Sequence, residues 1–137
     1  MKLLLILSFF ISQPKAQVTP LEQAPIKRHK KGAEIKFLAP SEALKSKNAF
    51  IGYLSIPPKG KVPLHRDATE EYLFVVKGGG SLWIDGKKFS IMEKDLIFMP
   101  AKAEVRYENG NKLTEVLQIF AGQGPEKKYN SKAWVRK

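Results

Sequence analysis

The chain has 137 residues, 43% of them hydrophobic, which is enough for one domain with its own core. It contains no cysteine, so disulfides, thiolate zinc sites and cysteine nucleophiles are excluded. The formal net charge is +11, with one basic cluster at residues 27–31. Because no helix-turn-helix or zinc-finger pattern accompanies this cluster, we expect a solvated basic segment and no nucleic-acid partner.

The N-terminus has the features of an export signal. Lys2 supplies a positive charge, and the apolar run at residues 3–11 has the length of a signal-peptide core. A membrane-spanning helix needs about 20 apolar residues, so this run is too short for a stable membrane anchor. We therefore predict a signal peptide at residues 1–16, cleavage after Ala16, and a protein that is periplasmic or secreted.

The mature chain divides into three parts. Residues 17–44 are predicted to be an N-terminal arm followed by a first strand, because Pro20 and Pro25 interrupt any regular period there. Residues 45–125 carry the main domain, and residues 126–137 are predicted to be a C-terminal tail.

Short strands separated by turn signals dominate the sequence after residue 32. Asp85-Gly86, between two such runs, is the strongest hairpin signal in the chain. The predicted strands are residues 33–38, 49–56, 70–76, 81–84, 88–92, 95–99, 104–108 and 113–120, with one helical turn at 41–47. Many short strands at nearly even spacing predict an all-β sandwich or barrel.

Residues 60–78, GKVPLHRDATEEYLFVVKG, resemble the first sequence motif of the cupin superfamily. His65 stands at the first histidine of that motif and Glu71 at its glutamate, while Asp67 occupies the place of the second histidine. The resemblance implies an all-β cupin fold, a double-stranded β-helix that forms a jelly-roll-like barrel.

A second motif of the same superfamily is similar to a later part of the chain. Gly86, the strand at residues 95–100 and Asn109 match its glycine, its strand and its asparagine. Val105 stands where the superfamily carries a metal-binding histidine.

The resemblance also implies a metal site in the barrel mouth. Its ligands in this chain would be His65, Asp67 and Glu71, and an oxygen-rich set of this kind favours a divalent ion such as manganese. Two carboxylates in a partly dry barrel repel each other. We therefore expect a neighbouring cation, either the metal or a side chain such as Lys102 or Arg106.

Two functions are compatible with these residues. The first is an exported cupin that binds a small polar ligand in the barrel mouth without established catalysis, with Tyr107, Tyr53 and Lys102 as candidate ligand-binding residues. The second is a metal-dependent cupin enzyme of the oxygenase or isomerase type that uses the His-Asp-Glu site. Cupins often dimerise, so the resemblance also leaves a homodimer open.

Overall fold

A computed structural model describes residues 16–39 and 48–136 of the chain. These residues form eleven strands and two short 3₁₀ helices, Leu21–Gln23 and Pro125–Asn130. The strands are β1 (Ile26–His29), β2 (Glu34–Ala39), β3 (Ala49–Ile56), β4 (Lys61–Arg66), β5 (Glu71–Lys77), β6 (Gly79–Ile84), β7 (Lys87–Met92), β8 (Leu96–Met99), β9 (Glu104–Asn109), β10 (Thr114–Ala121) and β11 (Trp134–Arg136). Among these residues, no helix has the length and hydrophobicity needed to cross a membrane.

The strands form two antiparallel sheets, and the hydrophobic core lies between them. One sheet has seven strands in the order β11-β1-β2-β3-β10-β5-β8, and the other has four in the order β4-β9-β6-β7. Buried side chains from both sheets meet in one cluster that includes Ile35, Phe50, Val75, Leu82 and Phe120. The predicted all-β architecture is confirmed, and every strand predicted in the part that the structure describes is present. The helical turn predicted at residues 41–47 lies outside the described residues.

Burial alternates along the two central strands of the larger sheet. On β3 and β10 every second residue is buried, because successive side chains of a strand point to opposite faces. This period places Gln118 among the inward-facing residues of β10 and Tyr53 among the outward-facing residues of β3.

A hydrogen-bonded network closes one end of the barrel around Gly79. The Tyr107 hydroxyl lies 2.7 Å and the Thr114 hydroxyl 2.8 Å from the Gly79 carbonyl oxygen, and both hydroxyls also contact the side-chain oxygen of Asn109. The Asn109 amide donates to the carbonyl groups of Ile56, Pro57 and Lys112. A Cβ at Gly79 would clash with the backbone of β7, so only glycine permits this close approach.

The N-terminal and C-terminal segments that the structure describes pack onto the barrel. β1 pairs with β2 on one side and with β11 on the other. The Lys27 ammonium donates to the Tyr129 carbonyl at 3.0 Å and to the Asn130 side chain at 2.6 Å, and the His29 and Trp134 rings meet edge to face. The expectation of a solvated basic segment is therefore wrong for residues 27–29, which lie in β1. The predicted C-terminal tail contains most of the second 3₁₀ helix and β11.

The outer face of the larger sheet carries exposed apolar side chains near its β8 edge. Phe74 lies opposite Leu96, and Tyr72 stacks on Phe98 with ring centroids 5.2 Å apart. Leu96 is 68% exposed and Phe98 48% exposed. A homodimer remains a prediction.

Candidate functional site

A cavity of about 730 Å³ lies inside the barrel, within the size range of small-molecule sites. Its walls come from both sheets and are mainly apolar. They include Leu54, Leu73, Leu82, Met99, Val105 and Val116.

Six polar side chains that line this cavity form two groups of three, each joined by hydrogen bonds or ion pairs; we call the six the polar cluster. They are His65, Asp67, Glu71, Gln118, Lys128 and Tyr129. Four of them come from β4, the turn that follows it, β5 and β10, whereas the last two come from the C-terminal 3₁₀ helix. Pro125 begins that helix and is buried, which fixes the helix against the barrel.

An ion pair joins the C-terminal helix to the polar cluster. The Lys128 ammonium lies 2.6 Å from Oδ1 and 2.8 Å from Oδ2 of Asp67. Burial opposes ionisation of Asp67, but the hydrogen bonds from His65 and Lys128 outweigh it and lower the pKa of this carboxyl. Asp67 is therefore a carboxylate at neutral pH, and the protein's own chain supplies its cation.

His65 is held between two acceptors. Its Nδ1 donates to the Pro63 carbonyl at 2.8 Å, and its Nε2 lies 3.3 Å from Oδ2 of Asp67. An imidazole satisfies two acceptors at once only when both ring nitrogens carry protons. The hydrogen bond to Asp67 accordingly raises the pKa of His65, against the opposing effect of its burial.

Glu71 is the most deeply buried carboxyl of the cluster, at 5% exposed. The Gln118 amide donates to its Oε1 at 2.7 Å, and the Tyr129 hydroxyl donates to the Gln118 side-chain oxygen at 2.6 Å. Burial raises the pKa of Glu71 to about 7, although Gln118 and Lys128 act in the opposite direction. Glu71 can thus hold a proton in the neutral range.

The structure brings the three predicted metal ligands into one cavity, but their surroundings do not fit a metal ion. Asp67 is paired with Lys128, and Glu71 accepts from Gln118. Val105, opposite His65 in the pairing of β4 with β9, offers no donor atom. Within residues 16–39 and 48–136, no group of three or more His, Cys, Asp or Glu side chains is arranged to hold a metal. The metal role of His65, Asp67 and Glu71 stays a prediction without support from this geometry.

The candidate ligand-binding residues occupy different places. Tyr107 lines the cavity, although its hydroxyl is used in the network around Gly79. Tyr53 faces outward from β3, and the Lys102 side chain is exposed. Neither Tyr53 nor Lys102 lies in the cavity wall, and Lys102 approaches Asp67 only through its backbone N–H, at 2.7 Å.

The cation expected near the carboxylates also comes from an unexpected element. Arg106, one of the two candidates, stacks on Trp83 with its guanidinium carbon 3.5 Å from the ring centroid. It also pairs with Glu108, at 3.1 Å. Lys128 fills the role expected of Arg106 or Lys102.

Sequence reasoning missed Gln118, Lys128 and Tyr129. The alternation of β10 was a usable signal, because it assigns Gln118 to the buried face between Val116 and Phe120. No comparable signal existed for Lys128, which lies in a basic segment 61 residues from its partner Asp67.

A sequence model described as "Cupin domain" matches residues 52–120. The chain belongs to the cupin superfamily. An uncharacterized protein of Methanocaldococcus jannaschii is 29% identical to this cupin over 90 residues, which cover 64% of the chain and 72% of that protein.

Solved cupin structures share the fold. A protein described as a predicted oxalate decarboxylase from Thermotoga maritima superposes with a TM-score of 0.68 at 23% identity, covering 78% of this chain and all of that one. KdgF from a Halomonas species gives a TM-score of 0.72 at 12% identity, covering 82% of this chain and 98% of the other. At these identities the likeness concerns the fold alone.

The Glu71 carboxyl predicts a pH dependence of stability. Its pKa of about 7 in the folded protein lies above its ordinary value of 4.5, so the folded state retains a proton that the unfolded chain releases. The resulting stability is fully present below pH 4.5 and is lost as the pH rises through 7, by about 3 kcal/mol. Glu71→Gln should remove this loss, because the amide keeps an acceptor for Gln118.

Urea unfolding at pH 4.5 and pH 8 measures the effect. The free energy of unfolding of the wild type should fall between pH 4.5 and pH 8 by about 3 kcal/mol more than that of Glu71→Gln. Glu70→Gln, at an exposed neighbouring position, should show the same fall as the wild type. Parallel pH profiles for the wild type and Glu71→Gln would contradict the prediction.

Proposed function

We propose that this cupin binds a small molecule in the barrel cavity and needs no metal ion to do so. The observation that carries the proposal is the pairing of Lys128 with both carboxylate oxygens of Asp67. A divalent cation in the cluster would have to compete with this ammonium for Asp67. The chain therefore balances its buried carboxylate without a metal.

The shape of the cavity supports binding of a molecule with an apolar body. Ligand pockets are mostly apolar, with a few placed polar groups that fix orientation. Here most of the wall is aliphatic, and the polar groups are the six side chains of the polar cluster, Tyr107 and Thr114, and basic side chains such as Lys59. We therefore propose a ligand with a larger apolar part than the small polar ligand that the sequence analysis predicts.

A neutral amphiphile tests the cavity directly. We expect 1-octanol to bind the wild-type protein and raise its melting temperature, because its chain removes apolar wall surface from water. Val116 is a wall residue that is only 3% exposed, so the larger indole of Val116→Trp should fill part of the cavity. This substitution should weaken 1-octanol binding at least tenfold.

Val76→Trp is the matched control, because Val76 is 43% exposed on the outer face. Circular dichroism should show both variants folded before titration by calorimetry. If no probe with an eight-carbon chain binds the wild type, or if 1-octanol binds Val116→Trp as tightly as it binds the wild type, cavity binding is refuted. Val105→Trp provides a second filling variant should Val116→Trp unfold.

The metal-dependent alternative has a separate test. Val105→His places an imidazole opposite His65, and Lys128→Ala removes the competing ammonium. We expect calorimetric titration with Mn²⁺ and Zn²⁺ to show no binding to the wild type and binding only when both substitutions are combined. Stoichiometric binding to the wild type that His65→Ala abolishes would establish the metalloprotein instead.

We further propose that the protein is exported, on the strength of the signal-like residues 1–16. Expression in a host with a secretory pathway should yield a mature chain that starts near Gln17 outside the cytoplasm. Mass spectrometry of the intact protein measures this, and a cytosolic product that keeps residues 1–16 would refute export.

A further inference from the structure

The charged side chains around the cavity are mostly basic. The cations that line it are Lys31, Lys59, Lys61, Arg66 and Lys128, against two acids, Asp67 and Glu71. Lys61 and Arg66 have carboxylate partners outside the cavity wall, on β9. Lys31 and Lys59 are exposed at the rim and form no ion pair with the described residues.

Both acids in the cavity are already used. Lys128 bonds both oxygens of Asp67, and Nε2 of His65 lies 3.3 Å from its Oδ2. Glu71 is 5% exposed and accepts a hydrogen bond from Gln118. Both carboxyl groups of the wall therefore already have partners within the chain, which a cationic ligand would have to displace.

The cluster keeps donors that point to an anion. An ammonium has three N–H groups, and Asp67 takes at most two of those of Lys128. Lys128 therefore keeps an N–H group that can donate to an acid group of a ligand in the cavity.

We propose that the ligand is a small amphipathic anion, a single carboxylate or similar acid group on an apolar body. The apolar walls hold the body, and the remaining N–H of Lys128 donates to the acid group. The rim cations Lys31 and Lys59, which form no ion pair with the described residues, add to a field that steers anions toward the opening. This inference rests on the proposed cavity binding.

Octanoate and 1-octanol test the charge because they share an eight-carbon chain. Calorimetry at low ionic strength should give octanoate a dissociation constant at least tenfold below that of 1-octanol, about 1.4 kcal/mol. Octyltrimethylammonium should bind more weakly than either, and acetate, which lacks the apolar body, should bind least. Quenching of Trp134, which lines the cavity, reports occupancy independently.

Two pairs of variants locate the effect. Lys128→Met keeps an unbranched side chain but removes the charge, and it should reduce the preference for octanoate over 1-octanol to less than threefold. Lys127→Met, at an exposed position of the same 3₁₀ helix, should leave the preference unchanged. Lys59→Glu at the rim should weaken octanoate at least threefold and leave 1-octanol unaffected.

Lys94→Glu is the control for Lys59→Glu. Both lysines are exposed and have a positive φ, 60° for Lys59 and 72° for Lys94. Of the two, Lys59 lines the cavity and Lys94 does not. Because Lys59 is exposed, its substitution keeps the test decisive even if Lys128→Met unfolds.

The outcomes separate the two proposals. Binding of 1-octanol as tight as that of octanoate would overturn the anionic class and leave cavity binding intact. Tighter binding of octyltrimethylammonium would do the same. If none of the eight-carbon probes binds, both proposals fall. Retention of the octanoate preference in Lys128→Met and in Lys59→Glu would refute the assignment to these cations.

Discussion

Two carboxyl groups lie inside a barrel whose walls are mainly apolar, and each must be balanced there. Isolated buried charge is too costly to persist, so a buried carboxyl must find a cation or keep a proton. Asp67 takes the first route through Lys128 and His65. Glu71 takes the second, with Gln118 and Tyr129 fixing its orientation.

This requirement makes the C-terminal segment part of the site. The 3₁₀ helix Pro125–Asn130 supplies both the cation for Asp67 and the hydroxyl that orients Gln118. Tyr129 also packs among the rings of Phe37, Phe50 and Trp134, so the helix is fixed by core contacts as well as by charge. Trp134 begins β11, whose pairing with β1 holds the N-terminal arm as well. Site and chain ends therefore form one cooperative unit.

The superfamily fold supports different chemistries through a few positions in its barrel mouth. In this chain, Val105 stands where the superfamily carries a metal-binding histidine, so that ligand is missing. Asp67 places a carboxylate where the first motif has its second imidazole. Lys128 then provides a cation that belongs to the protein itself. The Lys128 ammonium can bind and orient a charged group of a ligand through hydrogen bonds. Unlike a divalent metal ion, it has no open coordination position for that ligand.

Eight of the eleven strands in the described residues could be predicted from the sequence, whereas β1, β4 and β11 were not. The barrel and the meeting of His65, Asp67 and Glu71 in one cavity followed from the resemblance to the first cupin motif. These features depend on local signals: alternation of period two, glycine turns and the spacing within one motif. Only the tertiary structure decided which cation faces Asp67, where residues 27–31 lie, and that Tyr53 faces outward while Tyr107 lines the cavity. Lys128 lies 61 residues from Asp67, and Lys27 lies 103 residues from Asn130. Contacts of such separation form because the whole barrel brings the two ends of the chain together, and no short stretch of sequence records that.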